Sequence, residues 1–109
     1  MRVGKNILTI RRMMKVSSQD AWKPMQNRQD FKTGGALWGT SSPPYVGGRL
    51  NTYDRDEYQN NMDDIDFVVV SYHTPIAWHY KSNDSWYIVR TKFSMTTSKH
   101  QTLIRKAVI

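Results

Sequence analysis

The chain has 109 residues, 39% of them hydrophobic, and a formal net charge of +7. That is the size of one small domain, residues 1–109, with enough apolar material for a core, which argues against a disordered chain. No apolar run approaches the ~20 residues that cross a bilayer, the opening MRVGKNILTIRRMMK lacks a signal-peptide pattern, and the absence of cysteine excludes disulfides and thiolate metal sites; the expectation is a cytoplasmic protein without membrane contact.

VGKNILTI reads as a short strand, Val3–Ile10. In SSQDAWKPMQNRQ, Ser17 can cap a helix with Asp20 three residues on, and Pro24 then makes that helix short or kinked. FKTGGALWGTSSPPYVGG is punctuated by turns and leaves ALWGT as a short strand. The acidic YDRDEYQNNMDDID is a short helix or an exposed loop.

The β-branched and aromatic DFVVVSYHTPIAWHY follows. Phe67, Val69, Ser71 and His73 share one face, and Val68, Val70 and Tyr72 the other. Apolar groups on both faces predict an interior strand. Pro75 cannot donate to a ladder, so the strand must bend, bulge or reach an edge there. KSNDS is a turn, and WYIVRTKFSM returns with Tyr87, Val89, Thr91 and Phe93 on one side and Trp86, Ile88, Arg90 and Lys92 on the other. The central hairpin is thus expected from Phe67 to Phe93. In SKHQTLIRKAVI, the positions His100, Leu103, Ile104, Ala107 and Val108 predict an amphipathic C-terminal helix.

Charge is segregated along the chain. Residues 1–50 sum to +7, residues 51–80 to −5 and residues 81–109 to +5. The two basic segments suit a polyanion such as a phosphate backbone, provided that Asp63, Asp64 and Asp66 do not fold back to neutralise them.

TTSKHQ, Thr96–Gln101, combines hydroxyls, an amine and an imidazole. Ser98 and Gln101 have capping-box spacing, which reads as the start of the last helix. Lys99 is left to meet an anion. No nucleophile elbow or oxyanion hole accompanies a Ser98 or Thr97 pairing with His100. His73, His79 and His100, with Asp66, have no compact metal-binding spacing, so no metal or other cofactor is expected. Trp78, Tyr80, Trp86 and Tyr87 can stack bases among Lys81, Arg90 and Lys92, although cross-strand packing is the stronger reading. MDDID reads as a solvated turn rather than a cation site.

SYHTPIAW (Ser71–Trp78) followed by TTSKHQ, with NRQDFKTGGALWG (Asn27–Gly39) upstream, resembles a family of small proteins encoded by bacteriophages and other mobile elements, a family of unknown function. The likeness runs from about Asn27 onward. It implies an origin and no catalytic residues.

The expected fold is α+β: a small, mostly antiparallel sheet on the central hairpin, with a C-terminal amphipathic helix and a short N-terminal helix. The expected function is that of a non-enzymatic accessory protein in the bacterial cytoplasm. It binds DNA or RNA through a basic face with Arg11, Arg12, Lys92, Lys99 and Arg105 as contacts. The alternatives are a module that inhibits or redirects a host protein, and a small hydrolase or nuclease.

Overall fold

The computed structural model describes residues 13–45 and 48–109. The expected strand Val3–Ile10, like Arg11 and Arg12, lies outside the described residues. Six strands form one sheet in sequence order: β1 (Met14–Lys15), β2 (Phe31–Lys32), β3 (Leu37–Thr40), β4 (Ile65–Ser71), β5 (Thr74–Tyr80) and β6 (Ser85–Ile88). All neighbours are antiparallel except β1 and β2. Three α-helices accompany the sheet: α1 (Trp22–Gln26), α2 (Thr52–Asn60) and α3 (Met95–Val108). The class is α+β, as expected.

Alternation along β4 sorts the two cores. Phe67 and Val69 pack with Met25 of α1 and Ile104 and Ala107 of α3. Val68 and Val70 pack on the opposite face with Tyr58 of α2 and Trp78. Each such fully buried side chain is worth roughly 1.5–3 kcal/mol. The first core needs Gly39, because a Cβ there would stand 2.3 Å from the Phe31 ring and 2.8 Å from that of Phe67.

The segment from Phe67 to Phe93 departs from the single hairpin expected of it. It makes two. β4 and β5 are joined by a two-residue turn at Tyr72 and His73, with Ser71 paired to Thr74. Tyr72 adopts φ 58°, where such turns ordinarily place glycine or asparagine, so no turn residue marks the reversal. Pro75 produces the expected bulge: Val69 pairs with Ala77 and Val70 with Pro75, leaving Ile76 as the extra residue. The second turn follows Tyr80, and β6 is shorter than the expected return strand because the chain leaves the ladder after the Val89 N–H bonds to the Ile76 carbonyl at 2.9 Å. The carbonyls of Val89 and Thr91 instead accept from the Gln101 side chain, at 2.7 and 3.1 Å.

α1 is short, as expected. Ser17 caps a 3-10 turn over Ser18–Asp20, and a new start at Trp22 places Pro24 in the first turn of α1, where its missing N–H costs nothing. It ends in a Schellman motif, Gln29 N–H to Pro24 O and Arg28 N–H to Met25 O, with Arg28 at φ 51° in the place usually held by glycine. The acidic segment forms α2 and then a 3-10 turn, Met62–Asp64.

α3 begins one turn earlier than the capping-box spacing indicates. Ser94 is its N-cap, and its side chain accepts from the Thr97 N–H at 3.1 Å. Ser98 therefore lies inside the helix, and Gln101, buried, serves the Val89 and Thr91 carbonyls rather than a capping box. Among the described residues, no helix is long and apolar enough to cross a membrane.

Candidate functional site

The early start of α3 carries Thr97 and His100 inward over the end of β4. There the Ser71 hydroxyl lies 2.8 Å from His100 Nδ1 and 3.1 Å from Thr97 Oγ1. The Ser94 hydroxyl in turn donates to Thr97 Oγ1 at 3.2 Å. Ser71, Thr97 and His100 are all buried. Burial pushes the His100 imidazole below its ordinary pKa, because the charged ring would lose its hydration. The hydroxyls of Ser94, Thr97 and Ser71 and the His100 ring thus form one hydrogen-bonded chain. The Ser71–His100 spacing is that of a nucleophile and its base, but Ser71 is only 1% exposed and serves here as a link in a packed polar chain. His100 does not bond directly to Ser98 or Thr97.

Above this chain lies a pocket of about 280 Å³, lined by Arg49, Ser71, Tyr72, Thr74, Phe93, Ser94 and Thr97. Thr74 is 5% exposed, and its hydroxyl accepts from the Arg49 N–H at 3.0 Å. A second, more open groove of about 460 Å³ adjoins the first through Phe93 and Ser94, and Lys92, Lys99, Ser98 and Thr102 line it.

Two of the expected contacts, Lys92 and Lys99, thus come together on one groove. Arg105 does not join them. It bonds to Thr102 at 3.3 Å and lines a separate recess with Arg90, Trp86 and Ile88. Lys99 and Arg105 lie on α3, on the α1 side of the sheet, and Lys92 lies in the segment leading into it. Lys23 and Lys106 are exposed in the same helical layer. The residues that complete the pocket, Arg49, Ser71, Tyr72, Thr74 and Ser94, were not expected from the sequence. Ser71, Tyr72 and Thr74 lie in Ser71–Trp78, one of the blocks on which the family resemblance rests, while Arg49 and Ser94 carry no such signal.

The acidic segment packs on the opposite face, through Tyr58. Tyr87 donates to Asp54 Oδ1 and Tyr80 to Glu57 Oε2, both at 2.6 Å. Burial and these carboxylate partners push both phenols up in pKa. Asp64 accepts from the backbone and hydroxyl of Ser82, and Asp66 and Asp84 flank His79, each at 2.8 Å. Among the described ion pairs, the approach of this segment to a lysine or arginine is that of Asp66 to Arg28, at 3.8 Å. None of these acids pairs with Lys92, Lys99 or Arg105. Of the MDDID carboxylates, Asp64 holds the β5–β6 turn through Ser82 and Asp66 meets His79, and among the described residues no three His, Asp or Glu side chains gather as a metal site.

The aromatics near that turn pack rather than present themselves. Trp78 stacks on Tyr87 with centroids 4.7 Å apart and meets Tyr58 at 4.9 Å, while Trp86 sits edge-on to Phe67. The exposed aromatics lie elsewhere, at Trp22, Tyr45, Tyr53 and Tyr72.

No curated protein and no solved structure matches the chain. A family model does: a family of unknown function (DUF8033) matches residues 13–107.

Proposed function

We propose that this chain, which belongs to that family of unknown function, binds nucleic acid without chemistry of its own through the layer formed by α1, α3 and the segment leading into α3. The observation that carries the reading is the separation of charge by the sheet. Lys23, Lys99, Arg105 and Lys106 occupy the helices of one face, with Lys92 beside them, while the acidic α2 lies across the sheet. The acids that reach the basic side are already engaged: Asp20 with Ser17, and Asp66 and Asp84 with His79. An origin in a bacteriophage or mobile element, and work in the cytoplasm of its bacterial host, belong to the same reading. They rest on the resemblance of the two sequence blocks.

The test is fluorescence anisotropy with labelled DNA and RNA over a salt series. Log affinity should fall linearly with log salt as counterions are released, with a slope of about −0.7 per contacted phosphate on a single strand and about −0.9 on a duplex. Lys92→Gln with Lys99→Gln should flatten that slope. Absence of binding to either nucleic acid at low salt would remove the reading.

A host-protein partner is the second reading. It is favoured by Trp22, 44% exposed on α1 beside a recess of about 270 Å³ that Gln26, Leu103 and Lys106 also line. Capture of one stoichiometric protein that survives nuclease treatment and is lost in Trp22→Ala would support it.

A further inference from the structure

The pocket above Ser71 has a chemistry that the basic layer alone does not require. Its lining residues are an arginine (Arg49), hydroxyl residues of which Ser71, Thr74 and Thr97 are buried, and two aromatics (Tyr72 and Phe93). Aromatic faces with a flanking cation are how proteins hold unpaired bases, because every base has a π-face and every nucleotide a phosphate. Resting on the reading of this chain as a nucleic-acid binder, we propose that the pocket takes one unpaired nucleotide of a single strand whose backbone continues along the Lys92–Lys99 groove.

Several independent observations converge. The pocket, about 280 Å³, sits just below the ~300 Å³ lower bound of ordinary small-molecule sites, which suits a single base. Thr74 is buried and its hydroxyl oxygen accepts from the Arg49 N–H at 3.0 Å, and a hydroxyl that accepts keeps a proton it can give to a base edge. Tyr72, 55% exposed, stands on a tight turn at positive φ, and Trp38 Nε1 fixes that turn by donating to the Tyr72 carbonyl at 3.1 Å. An aromatic is thus held at the rim by a backbone that would be easier for glycine. The pocket and the lysine groove share Phe93 and Ser94, so one strand can occupy both. A base held in a duplex cannot enter, so the site selects single strands.

The experiment compares anisotropy titrations of labelled oligo(dT), oligo(U) and a duplex of the same length on the full chain and three variants. Tyr72→Gly removes the ring and suits the positive φ, so it keeps the turn. Thr74→Val removes the hydroxyl at nearly constant volume, and Lys99→Gln removes a groove cation. Thermal melts confirm that each variant is folded. Wild type should prefer the single strands, and in Tyr72→Gly the ratio of single-strand to duplex affinity should fall about tenfold, one base stack's worth. Thr74→Val should lower the same ratio by a smaller factor. If folded Tyr72→Gly and Thr74→Val keep the wild-type ratio while Lys99→Gln weakens every titration, the pocket proposal is wrong and the basic layer stands. Equal affinity of wild type for single strand and duplex also overturns the pocket. If wild type binds none of the three probes, the functional reading fails, and the pocket with it.

Discussion

His100 and Gly39 show how much single positions decide here. His100 is held neutral, with its pKa below the ordinary 6.5. Between the two values the unfolded chain binds more protons than the folded one, so stability rises with pH across that window. The contribution is complete above about pH 6.5 and is lost as pH falls toward the folded value. Melting temperature should therefore drop between about pH 7.5 and about pH 5.5, and His100→Gln should show a smaller drop over the same range. An unchanged drop in the variant would place the titration elsewhere. Gly39 faces a different constraint. It pairs with Phe31 across β2 and β3, and any Cβ collides with two rings of the core. Gly39→Ala should cost about 1–3 kcal/mol through overpacking, read as a lower urea midpoint with unchanged m-value.

At the scale of elements, the sequence was most informative where periodicity meets burial. The two faces of β4 and the two sides of the segment Trp86–Val89 follow from a period of two with apolar groups at fixed parity. The amphipathic face of α3 follows from its i, i+3, i+4 spacing. What local spacing misses is competition decided by distant partners. Ser94 and Ser98 are both possible caps, and the Ser98–Gln101 pair has the better local pattern. Ser94 caps the helix instead, since that start puts Thr97 and His100 over Ser71 and Gln101 under two carbonyls of residues 89 and 91. The reversal at Tyr72 was hidden for a similar reason: contacts around the turn impose a positive φ on a residue that does not advertise it. The pocket shares this difficulty, because its residues come from three separated stretches, Arg49, residues 71–74 and residues 93–97. A direct check on the helix start compares two truncations. Ser94→Ala should destabilise by about 1 kcal/mol, the worth of an N-cap, while Ser98→Ala should change chemical denaturation by less than half of that. The reverse order would restore Ser98 as the cap.

For the whole molecule, the question is whether polyanion affinity follows net charge or its placement. The formal charge of +7 is a sum over a basic helical layer and an acidic helix on opposite faces of one sheet. The tyrosines explain why the acidic helix stays there: Tyr87 holds Asp54, and Tyr80 holds Glu57. Breaking those bonds to swing α2 toward the basic side would leave Asp54, 7% exposed, without its partner. Screening makes the separation count, since the Debye length is about 8 Å at physiological salt and a sheet with its packed side chains stands between the two layers. Two substitutions of opposite sign decide the matter. Asp56 is exposed on α2, and Asp56→Asn raises the net charge by one; Lys99→Gln lowers it by one. If total charge governs, the two should shift affinity for a DNA probe by similar factors in opposite directions. If the placement governs, Asp56→Asn leaves the salt dependence as it is, while Lys99→Gln flattens the slope of log affinity against log salt by up to about 0.7–0.9. Because Asp54 and Glu57 hold α2 to the sheet and no acid is paired with Lys92 or Lys99 among the described ion pairs, the second outcome is the one this architecture predicts.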